Sequence, residues 1–150
     1  MMPAQAIVET IAQVLRNEFF EFRDRVFINR TVALDESEGD LTAITVRQGA
    51  DDPFDDASTF DRIGMSLSIQ VVFTDSDNDE PSLVGRLNEL RLRTHRVLMA
   101  RNALALPWVL SIAARGAEEP ATSAAASIIS KELVTRWGVL YTMDRTQPDA

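Results

Sequence analysis

The chain offers a single imidazole, His95, so any histidine-dependent chemistry must pass through that residue. It falls in a helical stretch among Arg91, Arg93 and Arg96, and nothing near it suggests a nucleophile to activate. A lone His in such a setting reads as a surface or partly buried residue rather than a general base. There is no cysteine, which removes thiolate catalysis, Cys-ligated zinc, iron–sulfur clusters and any disulfide framework. No G-x-S-x-G elbow is present, and neither G-x-x-x-x-G-K-[ST] nor G-x-G-x-x-G occurs to cradle a phosphate. A catalytic carboxylate pair needs a geometry that spacing alone does not supply.

Two acidic runs remain. Asp75-Ser76-Asp77-Asn78-Asp79-Glu80 carries oxygen ligands at alternating positions, as a hard-cation loop would. A calcium-binding EF-hand loop also needs Gly at its sixth place and Glu at its twelfth, and these are Glu80 and Arg86. The run therefore reads as a solvated cap that starts a helix. The second run lies within residues 49–59 and contains Asp51, Asp52, Pro53, Phe54, Asp55 and Asp56. Its four aspartates and its proline predict a mobile hairpin loop, unable to bury enough apolar surface to offset its ordering entropy. Phe54 is the exception. An aromatic in a charged loop can anchor a partner, with Asp51, Asp52, Asp55 and Asp56 as its polar rim. Those five are the candidate contact residues; no catalytic, metal or cofactor site is expected.

The elements that position these residues are legible as periodicities. Ile7, Val8, Ile11, Val14, Leu15 and Phe19 recur at steps of three and four after Pro3, predicting an amphipathic helix of about four turns. Residues 26–32 and 41–46 are rich in β-branched side chains and read as strands about a polar turn, Asp35 to Asp40, containing Gly39. Ile63, Met65, Leu67, Ile69, Val71 and Phe73 alternate with Gly64, Ser66, Ser68 and Gln70, broken only by Val72. That is a strand with one face on a core and the other facing water or a partner. A second helix carries Leu83, Val84, Leu87, Leu90, Thr94, Val97 and Leu98. Acidic residues precede it and Arg91, Arg93, Arg96 and Arg101 lie toward its end, complementing its dipole. Strands at 108–113 and 133–143 follow. Between them residues 116–127, rich in small side chains, read as a loop or a marginal helical turn. Residues 147–150 are a tail. The predicted order is α-β-β-β-α-β-β, a single α+β domain over residues 1–150. Its small, mostly antiparallel or mixed sheet carries two helices packed on one face.

Composition bounds the class. The 150 residues are 45% hydrophobic and 25% charged, enough for one core without staples. The net charge of −8 argues against a dedicated nucleic-acid surface and against a polybasic membrane patch. No apolar run approaches the roughly 20 residues that span a bilayer, and the N-terminus lacks the cationic start of a signal peptide. A soluble cytoplasmic protein is expected.

Several segments together resemble a known family. A short N-terminal helix leads into "VFINRT", then "LTAITV", an acidic variable loop, the long strand "RIGMSLSIQVVFTD" and the helix "LVGRLNELRLRTHRVLMA". The Trp108 segment and a closing "ELVTRWGVLYTMD" complete the plan. From Ile7 to Met143 the chain resembles the tail terminator proteins of long-tailed bacteriophages, the relatives of the lambda minor tail protein U. The resemblance implies a non-enzymatic virion subunit in the neck region of the tail, assembled in the host cytoplasm. It implies a homohexameric ring on the last ring of tail-tube protein, which stops polymerisation and offers a face to neck or head-completion proteins. DNA would pass through such a ring without specific binding, since an acidic conduit repels phosphates.

Two other readings stand beside it. Another head–tail connector or neck subunit would differ only in its partner. A small-molecule-binding α+β dimer would need convergent polar groups at a pocket, for which Ser66, Ser68 and Gln70 are available.

Overall fold

The computed structural model describes residues 2–29, 42–118, 121–125 and 128–146. Helix α1 (Pro3–Glu18) starts on a proline whose missing N–H would have had no intrahelical partner. It buries Ala4, Ile7, Val8, Ile11, Ala12 and Leu15, the 3.6-residue stripe read from the sequence. Phe19 closes the helix and stacks on Phe22 at 5.3 Å, within a 3₁₀ segment (Phe20–Arg25) that turns the chain into strand β1 (Val26–Ile28). Then come β2 (Ala43–Pro53), β3 (Arg62–Asp77), α2 (Glu80–Leu98), β4 (Val109–Ala117), β5 (Ala121–Ala125) and β6 (Ile128–Asp144).

The strands form one sheet in the order β1-β2-β3-β6-β4, with β5 pairing β6 on the side that β4 occupies. Only β1 and β2 run parallel; all other pairings are antiparallel. This is the expected α+β class with a mixed sheet. The alternation in β3 sets which face is buried. Leu67, Ile69, Val71 and Phe73 oppose Val139, Trp137, Thr135 and Leu133 of β6, and Ile44 and Val46 of β2 continue the layer. Both helices pack on that face, joined where Arg93 binds Glu18 and Glu21 and lies 4.4 Å over the Phe19 ring. Val72, the break in the alternation, is buried on the opposite face.

The element order differs from the expected one in two places. Residues 49–53 belong to β2 rather than to a loop, because β3 is long enough to supply them with a hydrogen-bonding partner. Residues 116–127 hold the end of β4 and the whole of β5 rather than a loop or helical turn, because β6 runs to Ile128 and pairs both. The order is therefore α-β-β-β-α-β-β-β. The expected strand residues 30–32, the turn from Asp35 to Asp40, Leu41 and the 147–150 tail lie outside the described residues. Among the described residues no helix is long and apolar enough to cross a membrane.

Candidate partner-contact surface

The five acidic-loop residues do not stay together. A bulge between Gln48 and Asp51 sets two residues, Gly49 and Ala50, against the single Ser68. A Cβ on Gly49 would lie 2.9 Å from the Ser68 carbonyl oxygen, so the bulge takes glycine. The extra residue reverses the parity of β2. Ile44 and Val46 face the helices before it, and Asp51 faces them after it. Asp51 therefore leaves the expected polar rim and accepts the Tyr141 hydroxyl across β3, at 2.9 and 2.8 Å to its two carboxylate oxygens. Burial holds the Asp51 carboxyl above the usual range, the Tyr141 hydrogen bond partly offsets this, and the neighbouring Asp52 charge adds to it. Burial, then the Asp51 carboxylate, push the Tyr141 phenol up. Trp108 meets the Tyr141 ring edge-on at 5.8 Å.

Asp52, Asp55 and Asp56 remain exposed at the β2–β3 turn. This turn is built rather than loose. Phe54 N–H donates to the Gly64 carbonyl at 2.8 Å, Ala57 N–H to the Phe54 carbonyl at 3.1 Å, and Thr59 N–H to the Arg62 carbonyl at 2.8 Å. The Ser58 hydroxyl accepts from Gly64 N–H at 3.0 Å, and Arg145 braces the Thr59 carbonyl from the end of β6 at 2.9 Å. Gly64 is required here, since a Cβ would sit 2.5 Å from the Ala57 Cβ and 2.7 Å from the Phe54 carbonyl oxygen. Phe54 is 37% exposed, whereas Phe60, one residue beyond the expected loop, is 99% exposed. Phe60 is the aromatic that sequence reasoning missed. Its signal was an apolar residue in a polar stretch, out of step with the alternation that begins at Ile63.

A second surface lies at the other flank. The connection after α2 and the first half of β4 enclose a groove of about 250 Å³ lined by Leu98, Met99, Leu106, Val109, Leu110 and Ile112 among others. Asn102 and Ala105 in its wall hold left-handed backbone (φ 55° and 52°), a strained conformation for alanine. None of the nine residues of β4 is buried, and Leu110 is 55% exposed.

The remaining candidates for chemistry are engaged otherwise. Asp75 is buried and accepts from Arg86 Nε (2.9 Å), the Thr42 hydroxyl (3.0 Å) and Ser76 N–H (2.8 Å). Arg86 also grips Asp77 at 2.6 Å and holds its carboxyl below the usual range. The first half of the acidic run is thus bound by a guanidinium, while Asn78, Asp79 and Glu80 stay exposed at the start of α2, where Asp79 makes no side-chain capping bond. Among the described residues no group of three or more His, Cys, Asp or Glu side chains converges as metal ligands would. His95 is exposed, its ring 5.9 Å from that of Trp137. Ser66, Ser68 and Gln70 lie on the sheet face away from the helices, opposite Leu140, Gly138 and Arg136.

No protein-family model matches the chain, and no curated protein matches it in sequence.

Proposed function

We propose that this chain is a structural subunit of the tail-terminator type, a ring that caps the tail tube of a long-tailed bacteriophage and presents a face for neck attachment. The observation that carries the proposal is β4. It lies at the edge of the sheet among the described residues, with none of its own residues fully buried and only Val109 and Ile112 packed against the core. Such a strand leaves its outer N–H and C=O groups and its remaining apolar side chains, Leu110 among them, for another chain. Its bordering groove and the fully exposed Phe60 lie at the same end of the sheet, where another chain would cover both. The resemblance in element order from Ile7 to Met143 supplies the kind of assembly, and the net charge of −8 suits a conduit that lets DNA slide.

Subunits of such a ring meet through two different patches, and the array closes when the rotation between neighbours divides the circle. The test is native mass spectrometry and negative-stain imaging across concentration, with and without tail tubes. Closed rings of six and tubes capped at one end are expected. Monomers or two-fold dimers that persist with tubes present refute the proposal, and capture on portal-proximal rings instead of tubes would assign a connector role.

A further inference from the structure

We infer that the Phe60 turn of one copy of this chain seats in the groove between α2 and β4 of a second copy, making a head-to-tail contact. The inference deepens the ring reading and rests on it for closure of the array, but not for the contact itself. Phe60 is fully exposed in the single chain, so it does not fill its own groove. The turn that carries it is fixed by hydrogen bonds to Gly64, Arg62 and Arg145, so little order remains to be imposed on binding. The groove, about 250 Å³ and lined by Leu98, Met99, Leu106 and Leu110, has room for a phenyl ring. By volume alone the fit is loose, since about 150 Å³ already accepts benzene, and Asn102 and Ser111 add polar atoms to the wall.

Charge makes the pair complementary. Asp52, Asp55 and Asp56 surround the turn, all exposed and without an ion pair among the described residues. Arg96, on the last turn of α2, and Arg101, in the groove-forming connection, are likewise exposed and unpaired among the described residues. An acidic turn and a groove whose connecting segment carries Arg101 attract each other and repel their own kind, so the contact joins two different patches. A reciprocal two-fold pair would satisfy this as well, and the double-cysteine ladder below separates the two arrangements. The left-handed Ala105 in the socket wall is the kind of retained strain that gathers at binding sites.

The two patches share one end of the sheet. Arg62 pairs with Asp144, and Thr142 N–H donates to the Trp108 carbonyl at 3.0 Å. The turn and the start of β4 therefore sit at one end of the sheet, on either side of β6.

Because the chain has no cysteine, the contact can be read by crosslinking. A Phe60→Cys chain mixed with a Leu110→Cys chain should form disulfide-linked dimers under mild oxidation, well above either variant alone. The double variant should give a ladder extending past dimers. By sedimentation equilibrium, Phe60→Ala should weaken self-association about thirtyfold, the effect of truncating an anchor residue. Asp56→Arg should weaken it too, and pairing that chain with Arg101→Asp should restore it. Circular dichroism melts on each variant confirm folding, since all four positions are exposed. A chain that stays monomeric at millimolar concentration, or Phe60→Ala associating as tightly as the parent, overturns the inference. So does Phe60→Cys crosslinking only with itself. If Phe60→Ala self-associates normally but no longer caps tubes, the socket's occupant is tube protein and the inference fails while the ring reading survives. Phe60-dependent association without rings or capping does the reverse.

Discussion

Replacing Tyr141 with Phe removes one hydroxyl and leaves its buried ring in place against Trp108. The hydroxyl has one proton and two carboxylate oxygens within 2.9 Å, so the loss is that of one shared hydrogen bond to a charged acceptor. Such bonds contribute about 1.5–3 kcal/mol. Asp51 is partly open to the groove beneath the first turn of α1, where water can replace part of what is lost. A loss of about 2 kcal/mol at pH 7 is expected, or about 4–8 °C in Tm for a domain of this size.

The pH dependence has a definite sign. Asp51 is held above the usual carboxylate value, so its protonation favours the folded state. That contribution is fully present below the ordinary value of 3.8 and is lost as pH rises through the raised folded value. The Tyr141 hydroxyl acts oppositely, because it stabilises the ionised form. Its contribution is present above the Asp51 pKa and fades as pH falls through it. The stability gap between the parent and Tyr141→Phe should therefore be widest at pH 7 and narrow toward pH 3.5. Asp51→Asn should raise stability at pH 7 and flatten the profile across that interval. Urea denaturation from pH 3.5 to 7 measures all three chains. A Tyr141→Phe change below about 0.5 kcal/mol at pH 7, or a gap that does not vary with pH, would refute a hydroxyl bonded to an ionised Asp51.

Arg86→Ala should cost about 1–2 kcal/mol in the same denaturation assay, through the uncompensated charge on buried Asp75. The figure is kept low because Arg86 is itself 45% exposed. Exposed Arg91→Ala, the matched control, should stay within about 0.5 kcal/mol. Gly64→Ala forces a methyl into the Phe54 carbonyl and the Ala57 side chain, so it should cost about 1–3 kcal/mol and displace the turn. Sedimentation on folded Gly64→Ala should show self-association weakened together with stability, whereas Phe60→Ala weakens association with Tm unchanged.

What the sequence determined by itself was every feature carried by a local period. The alternation of Ile63 to Phe73 defined both a strand and its buried face, because side chains of an extended chain point to opposite sides in strict succession. The stripes Ile7 to Phe19 and Leu83 to Leu98 defined two helices with one core face each, by the same argument at 3.6 residues per turn. Whether a stretch without a period is strand or loop depends on a partner elsewhere in the chain. Residues 49–53 and 121–125 are strands because β3 and β6 extend alongside them, and their own composition pointed to loops. Single-residue burial followed the same rule. Asp51 read as a rim carboxylate until one inserted residue reversed the parity of β2 and set it under a tyrosine 90 positions away. Asp75 read as solvated until Arg86 on the next element closed over it. Phe60 lay outside every pattern. Only the tertiary structure, in which a hydrogen-bonded turn carries the ring away from the core, decided that it stands in water.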